Sequence, residues 1–254
     1  MIISGKNIVV TGAASGIGKH VVTLLLQHGA KVLAVDRADL LLDTHHNLFT
    51  LQADISSPAA IDDLFTHAVE TLGGIDAFIA NAGFAYYEKL EQPDWQRMEA
   101  IYKVNVLSPI YSLKKLVQLN GDKPCSFVAV SSAMAYLGVP GYAQYAGTKG
   151  ALHRFMETYR NEHHHRLHLM VVYPIATKTN FFNWAGNNIP VAWPTQEPQQ
   201  VAKAMVNGLM SGKRRVYPSF LFQLILAANR YFPFVFPFYL WLEQKKFQGW
   251  MRGI

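Results

Sequence analysis

The chain is poor in cysteine and in charged residues. Its 254 residues contain one cysteine, Cys125, so an internal disulfide is excluded, and we expect a reducing compartment and a small buried thiol. Only 16% of the residues are charged. The basic residues are scattered, apart from the cluster at 213–215, and no nucleic-acid motif accompanies them. The net charge of +6 therefore does not predict nucleic-acid binding.

Targeting segments, linkers and long apolar runs are also lacking. The apolar stretch at the start is short, Lys6 interrupts it and no cleavage site follows, which argues against a signal peptide. Two uncharged runs, 216–229 and 231–242, are each shorter than the ~20 residues that a membrane-spanning helix needs. Since Pro233 and Pro237 interrupt the second run, a spanning helix is not expected. We expect a cytoplasmic protein, at the inner face of a membrane if its C-terminal segment binds lipid.

Short apolar runs do recur along the chain, with amphipathic stretches between them. They are nearly continuous rather than alternating, which is typical of strands that are covered on both faces. These runs lie at 7–10, 31–35, 48–53, 75–80, 126–131 and 167–173. Strand–helix alternation predicts an α/β chain with a doubly wound parallel sheet. Residues 213–254 would form an aromatic-rich C-terminal extension of this domain.

Ligands bind beyond the carboxyl ends of such strands. The first predicted strand is followed by a turn with Gly12, Gly16 and Gly18 that leads directly into a helix. Glycine lets the backbone approach a pyrophosphate closely, and the N–H groups at the helix N-terminus stabilise its charge. The turn therefore predicts a dinucleotide site.

The second predicted strand ends at Asp36, eighteen residues past Gly18. A carboxylate at this place accepts both ribose hydroxyls of an adenosine and repels a 2′-phosphate, which favours NAD over NADP. Arg37 beside it could instead hold that phosphate, so NADP stays open. Asp54, after the third run, is either a cofactor contact or the cap of the helix that begins near Pro58.

A tyrosine and a lysine stand four residues apart after the fifth predicted strand. In the stretch GYAQYAGTKGAL at 141–152, Tyr145 precedes Lys149 by one helical turn. A free tyrosine has a pKa near ~10. A neighbouring ammonium, together with the positive charge of an oxidised nicotinamide, would favour the phenolate and lower that pKa, making Tyr145 an acid–base catalyst. Tyr142 has no lysine at this spacing, so we expect it to line the substrate pocket.

These motifs together resemble the short-chain dehydrogenase/reductase family. The matching features are T-G-x-x-x-G-I-G at 11–18, Asp54, N-A-G at 81–83, Asn105, Ser132 and the Tyr145–Lys149 pair, in order over roughly residues 5–180. The resemblance implies a single-domain Rossmann-type fold of about seven strands, with residues 1–212 as the NAD(P)-binding domain. It also implies an enzyme that interconverts an alcohol and a ketone or aldehyde with NAD(H) or NADP(H). The alternative is a non-catalytic NAD(P)-binding sensor or scaffold, which would need only the glycine turn and Asp36.

The resemblance also implies individual roles. Ser132 would hydrogen-bond the substrate oxygen, since its interval before Tyr145 is the family's, whereas Ser131 points the other way along the strand. Lys149 would also hold the nicotinamide ribose. Asn105 would join Lys149 to a water-mediated proton path, or be an ordinary satisfied amide. The residues expected to contact the cofactor are Gly12, Ser15, Gly16, Ile17, Gly18, Asp36, Arg37, Asp54, Asn81, Ala82, Gly83, Tyr145, Lys149, Pro174 and Thr179.

One motif departs from the family, because the usual Pro-Gly after the sixth strand is Pro174-Ile175 here. Thr179 still occupies the position that would bond the nicotinamide carboxamide. This puts the path of the loop in doubt more than the chemistry. The segment at about 179–198 is where the family carries its substrate lid, and the lid's aromatic residues, including Trp184, favour a lipophilic substrate.

The C-terminal segment is expected to contact a membrane surface, another subunit or the pocket. Its aromatic-rich runs, flanked by basic residues, suit peripheral attachment to lipid, and a homodimer or homotetramer is the rival expectation. No metal site is expected. The three histidines at 163–165 project about 100° apart on a helix, so they do not converge on one ion, and a helix C-terminus explains them better.

Overall fold

The computed structural model describes residues 1–162, 166–186 and 188–253. Seven strands form one parallel sheet in the order β3-β2-β1-β4-β5-β6-β9. They are β1 (Asn7–Thr11), β2 (Lys31–Asp36), β3 (Leu48–Gln52), β4 (Ala77–Ala80), β5 (Cys125–Val130), β6 (Leu167–Val172) and β9 (Arg215–Val216). The order of strands reverses between β1 and β4, which places a crevice beyond their carboxyl ends.

Helices cover both faces of this sheet, so its strands are buried on each side. In chain order they are α1 (Gly16–Gln27), α2 (Pro58–Leu72), α3 (Trp95–Tyr102), α4 (Ser108–Asn120), α5 (Ala143–Glu162), α6 (Phe181–Ala185), α7 (Pro198–Met210), α8 (Phe220–Tyr231) and α9 (Val235–Met251). Residues of α1 and α7 pack in one hydrophobic core, and residues of α2, α4 and α5 pack in the other. The predicted doubly wound fold is confirmed.

All six strands predicted from apolar runs are present, with bounds that differ by two residues at most. The seventh, β9, has only two residues and pairs with the end of β6. Arg215 is charged, and Val216 only begins the run 216–229, so no apolar pattern predicts this strand and its place beside β6 makes it one. Cys125 is buried at the start of β5, and burial raises the pKa of its thiol to about 11, as suits an inert core residue.

The lid leaves and rejoins the domain through a small second sheet. Its strands β7 (Ala176–Thr177) and β8 (Thr195–Gln196) pair in parallel. Between them lies α6, and Phe181 of this helix packs on Tyr145 with ring centroids 5.4 Å apart. The lid therefore lies directly against the proposed catalytic tyrosine.

The C-terminal segment folds into α8 and α9. One face of α9 packs on the domain, because Phe247 and Trp250 contact the ring of Tyr87, which in turn contacts Tyr142 at a centroid distance of 4.8 Å. The buried Glu243 lies on the same face and pairs with Lys246. Among the described residues, none of the helices is long and apolar enough to cross a membrane.

Candidate active site

A cleft with about 1430 Å³ of empty space opens at the carboxyl ends of β1, β2, β4, β5 and β6. Every predicted catalytic residue except Asn105 lines it, as do most of the predicted cofactor contacts. Asn105 and Gly18 are buried and do not line the cleft. One cleft thus joins the glycine turn and the Tyr145–Lys149 pair.

The glycine turn is built so tightly that side chains do not fit. A Cβ at Gly18 would lie 1.9 Å from the carbonyl oxygen of Gly12, and Gly12 itself has a φ of +69°. Asn81 at the end of β4 donates its amide to the carbonyls of Thr11 (3.1 Å) and Gly12 (3.0 Å), tying β4 to the turn. The turn leads into the N-terminus of α1, an arrangement that fits a pyrophosphate.

Asp36 ends β2 at the rim of the cleft. Its carboxylate oxygens accept the backbone N–H groups of Ala14 and Ala38, both at 2.9 Å, and this holds the carboxylate beside the glycine turn. Each oxygen keeps a free lone pair, so the group still fits two ribose hydroxyls. Arg37 also lines the cleft, with an exposed side chain.

Asp54 is not the cap of the helix that follows β3. The N-cap is Ser57, whose hydroxyl accepts the N–H of Ala60 at 3.2 Å. Asp54 accepts the N–H of Ser56 instead and lines the cleft. Because Ser57 takes the cap position, the cofactor contact remains as the predicted role of Asp54.

The two serines after β5 have different surroundings. The hydroxyl of Ser131 donates to the carbonyl of Lys149 at 3.1 Å and so ties β5 to α5. Ser132 accepts the N–H of Met134, and its hydroxyl lies near enough to Tyr145 to act on the pKa of that phenol. The serine next to the proposed catalytic tyrosine is therefore Ser132, the one chosen by its spacing.

Tyr145 and Lys149 are both buried, and burial dominates their titration. It raises the pKa of Tyr145 to about 12, although the hydrogen bond with Ser132 acts in the opposite direction. It lowers the pKa of Lys149 to about 8. In the protein alone the pKa of Tyr145 is therefore raised, and its lowering by Lys149 together with an oxidised nicotinamide stays a prediction for the cofactor-bound enzyme. The ammonium lies 5.5 Å from the ring centroid and donates to the carbonyl of Val130, so desolvation of the phenolate prevails.

Comparison with known proteins decides the family. A model of the short chain dehydrogenase family matches residues 6–188. The protein is a short-chain dehydrogenase/reductase. It is a nicotinamide-dependent oxidoreductase that interconverts alcohols and carbonyl compounds by hydride transfer, and the non-catalytic alternative has no support.

Two curated proteins and a crystal structure illustrate the likeness. An uncharacterized oxidoreductase of Staphylococcus saprophyticus is 31% identical over 170 residues, which are 63% of this chain and 68% of that protein. The 3-ketodihydrosphingosine reductase of Dictyostelium discoideum is 29% identical over 245 residues, covering 83% of this chain and 73% of that one. A short chain dehydrogenase of Burkholderia cenocepacia, crystallised with NADP, has a TM-score of 0.78 at 24% identity, and the match covers 91% and 94% of the two chains.

In this dehydrogenase Asn105 lies in a π-helical turn, Lys103–Leu107, between α3 and α4. Its side chain is fully buried: the amide donates to the carbonyl of Phe84 and to Thr148, and the oxygen accepts the N–H of Phe84. The amide is thus satisfied, as one reading of the sequence expected, and its relay role stays a prediction. A π-turn interrupts a regular helix and often marks a functional position.

The departure at Ile175 leaves the surrounding loop ordered by hydrogen bonds. The carbonyl of Pro174 accepts the N–H of Ala133 at 2.8 Å, and the carbonyl of Ile175 accepts the hydroxyl of Thr177. Thr179 reaches the glycine turn, since a Cβ at Gly16 would lie 2.8 Å from its methyl group. Pro174 and Thr179 both line the cleft where the family would hold its nicotinamide.

The substrate side of the cleft is aromatic. Tyr142 lines it although its side chain is 1% exposed, and its hydroxyl has no hydrogen-bond partner among the described residues. Trp184 lines it from the lid with 63% of its surface exposed. Sequence reasoning missed Met134, which also lines the cleft, and Thr11, whose buried hydroxyl accepts the N–H groups of Asn81 and Ala82.

The described side chains were also compared with the requirements of a metal site. Among the residues that the structure describes, no group of three or more histidines, cysteines or carboxylates is placed to hold an ion. The three histidines at 163–165 lie outside the described residues.

Proposed function

We propose that Tyr145 transfers the proton, Ser132 binds the substrate oxygen, and Lys149 holds the nicotinamide ribose and joins Asn105 in a proton path. The observation that carries this assignment is that Ser132, Tyr145 and Lys149 line one cleft, with the Ser132 hydroxyl near enough to Tyr145 to act on its pKa. A carbonyl oxygen placed between the two hydroxyls would accept both. The raised pKa keeps Tyr145 as a phenol, the form that can donate a proton to a carbonyl. When bound, the nicotinamide supplies or accepts the hydride.

We further propose that NAD is the preferred cofactor, with NADP as the alternative. Support comes from the carboxylate of Asp36, which lies beside the glycine turn through its bond to Ala14. A negative charge there would repel a 2′-phosphate. The exposed Arg37 could offset that repulsion in part.

Substitution of Asp36 tests the cofactor preference. Asp36→Ala should raise the KM for NAD about tenfold or more, because a charge-assisted hydrogen bond to the ribose is lost. The same change should lower the KM for NADP, with Arg37 now free to bind the phosphate. Steady-state kinetics with both cofactors check this, and the melting temperature reports on the loss of the bonds to Ala14 and Ala38. An unsubstituted protein that already prefers NADPH would overturn the assignment.

The substrate proposed here is a lipophilic ketone or alcohol. The substrate side of the cleft carries the rings of Phe181, Phe182 and Trp184 and the side chain of Met134, which favour an apolar compound. The relative from Dictyostelium discoideum is named as a reductase of a sphingoid ketone, which is consistent with this class. A panel of ketones and alcohols, assayed with NADH and NADPH at the nicotinamide absorbance, tests the proposal. Turnover confined to small hydrophilic carbonyls would contradict it.

We also propose that residues 213–254, as an extension of the same domain, bring the enzyme to an anionic membrane surface. Large apolar side chains are exposed along α8, α9 and the turn between them, and we call these the C-terminal apolar surface: Phe220, Leu221, Leu224, Tyr231, Phe232, Phe234, Phe238, Trp241 and Leu242. Phe238, Trp241 and Leu242 share one face of α9, opposite the face that packs on Tyr87. A soluble monomer rarely exposes an apolar surface made of so many large side chains.

The positive charge of residues 213–254 favours lipid over a second subunit as the partner of the C-terminal apolar surface. Residues 213–254 contain seven lysines and arginines and one acidic residue, Glu243, so they carry the whole net charge of +6 of the chain. Glu243 is buried, which leaves no carboxylate at the surface of α8 or α9. Each exposed basic residue near an anionic membrane contributes about 1 kcal/mol. A homodimer or homotetramer formed through the same surface is the competing outcome.

Vesicle binding distinguishes a lipid surface from a second subunit as the partner of the C-terminal apolar surface. Phe234→Ser with Phe238→Ser should lower partitioning onto anionic vesicles about tenfold or more, because two exposed rings no longer enter the interface. Leu119→Ser, at an exposed position of α4, is the matched control and should change nothing. Sedimentation with and without vesicles measures both binding and mass. A double variant that dissociates from oligomer to monomer without losing vesicle binding would assign the surface to a second subunit.

A further inference from the structure

A second cavity lies behind the catalytic cleft and runs towards the C-terminal helices. It contains about 520 Å³ of empty space, part of which is open to solvent. The two cavities share four lining residues: Ser132, Met134, Ile175 and Ala176. The second cavity therefore begins at the serine that would hold the substrate oxygen.

The lining of this second cavity is almost wholly apolar away from Ser132. One wall comes from the turn after β5, with Leu137 and Val139, and another from the end of the lid, with Ala192. The far wall comes from the C-terminal segment, through Phe222 and Ile225 of α8 and the start of α9. The hydroxyl of Tyr239, which also lines the cavity, is hydrogen-bonded to Glu243. The cavity therefore offers a polar group at one end and apolar side chains along its length.

We propose that this cavity is a subsite for the apolar tail of the substrate, and that the substrate is a ketone or secondary alcohol with a long alkyl or acyl chain. The proposal rests on the proposed function, since Ser132 and Tyr145 fix the position of the carbonyl. With the carbonyl at Ser132, the two substituents of a ketone point into different spaces. One occupies the aromatic part of the cleft under α6, and the other enters the second cavity.

The position of the cavity gives the C-terminal segment a role in binding the substrate. The same helix, α8, presents Phe222 and Ile225 to the cavity and Phe220, Leu221 and Leu224 to the exterior. Because the outer side chains belong to the C-terminal apolar surface, a tail in the cavity lies one helix away from the proposed lipid contact. A long-chain substrate in a membrane would reach Ser132 past α8 rather than across the polar rim of the cleft.

Two ketones with the same head and different tails test the subsite: ethyl methyl ketone and methyl undecyl ketone, assayed without vesicles. The unsubstituted enzyme should have a kcat/KM about a hundredfold higher for the undecyl ketone, because burying about three to four further methylenes strengthens binding about fourfold for each. Ile225→Trp and Ala192→Leu fill the cavity from opposite walls. Each should lower kcat/KM for the undecyl ketone about tenfold and leave the ethyl ketone within about twofold.

Leu224→Trp is the matched control, because Leu224 lies one residue from Ile225 but is exposed and outside the cavity lining. It should leave the ratio of the two kcat/KM values unchanged. The melting temperature and NADH binding show whether each variant is folded. An unchanged ratio in two folded filling variants would overturn the tail subsite while leaving the proposed function intact. If the unsubstituted enzyme reduces neither ketone with either cofactor, the proposed function fails, and the subsite with it.

Discussion

Tyr145→Phe should lower kcat about a thousandfold or more while leaving the Kd for NADH within about twofold of its original value. The substitution removes the hydroxyl near Ser132 and leaves the ring, which packs between Tyr142 and Phe181. The proton then has no carrier, whereas the cofactor keeps the glycine turn, Asp36 and Lys149. Steady-state turnover and quenching of protein fluorescence by NADH measure the two effects. Substantial residual turnover would mean that another group carries the proton.

Tyr142→Phe is the matched control for this prediction. Its ring would keep the contacts with Tyr87 and Tyr145, at centroid distances of 4.8 Å and 6.2 Å. The deleted hydroxyl is buried and has no partner among the described residues, so its loss should raise the free energy of unfolding by about 1 kcal/mol. We expect most of kcat to remain and KM to change, since Tyr142 lines the cleft but has no lysine at helical spacing. Equal losses in the two variants would show that the roles of the two tyrosines have been assigned wrongly.

Gly18→Ala should weaken NADH binding about tenfold to a hundredfold and lower the free energy of unfolding by about 1–3 kcal/mol. The new methyl group would lie 1.9 Å from the carbonyl oxygen of Gly12 and 2.7 Å from the amide nitrogen of Asn81. Both are part of the bond that holds β4 against the glycine turn. The turn must therefore move where a pyrophosphate would lie. Titration with NADH and thermal unfolding measure the two losses.

Gly150→Ala provides the comparison for a glycine in a helix without such contacts. Gly150 lies within α5, and a Cβ there has no neighbouring atom within 4 Å. Alanine should stabilise the helix by about 0.5–1 kcal/mol and leave NADH binding unchanged. If both alanine variants weaken NADH binding equally, the tight turn at Gly18 is not the cause.

The sequence by itself determined the framework and the chemistry. Near-continuous apolar runs predict strands covered on both faces because such strands need apolar side chains in both directions, and the six predicted runs all form strands. The glycine turn, Asp36 and the spacing of Ser132, Tyr145 and Lys149 are local patterns, and each lies where a strand or helix can be assigned from nearby residues. Their meeting in one cleft follows because parallel strands share a carboxyl edge.

Only the tertiary structure decided the features that depend on distant partners. Strand β9 exists because Val171 and Val172 of β6 offer it a free edge. Burial sets the pKa of Tyr145 and outweighs the ammonium of Lys149, which the sequence spacing places one helical turn away. The C-terminal runs are rich in apolar side chains throughout, so the sequence does not show which of them are buried. Packing on Tyr87 buries one face of α9 and leaves Phe238 and Trp241 exposed. Desolvation, edge pairing and the choice of a buried face all depend on residues far apart in the chain, which no local pattern encodes.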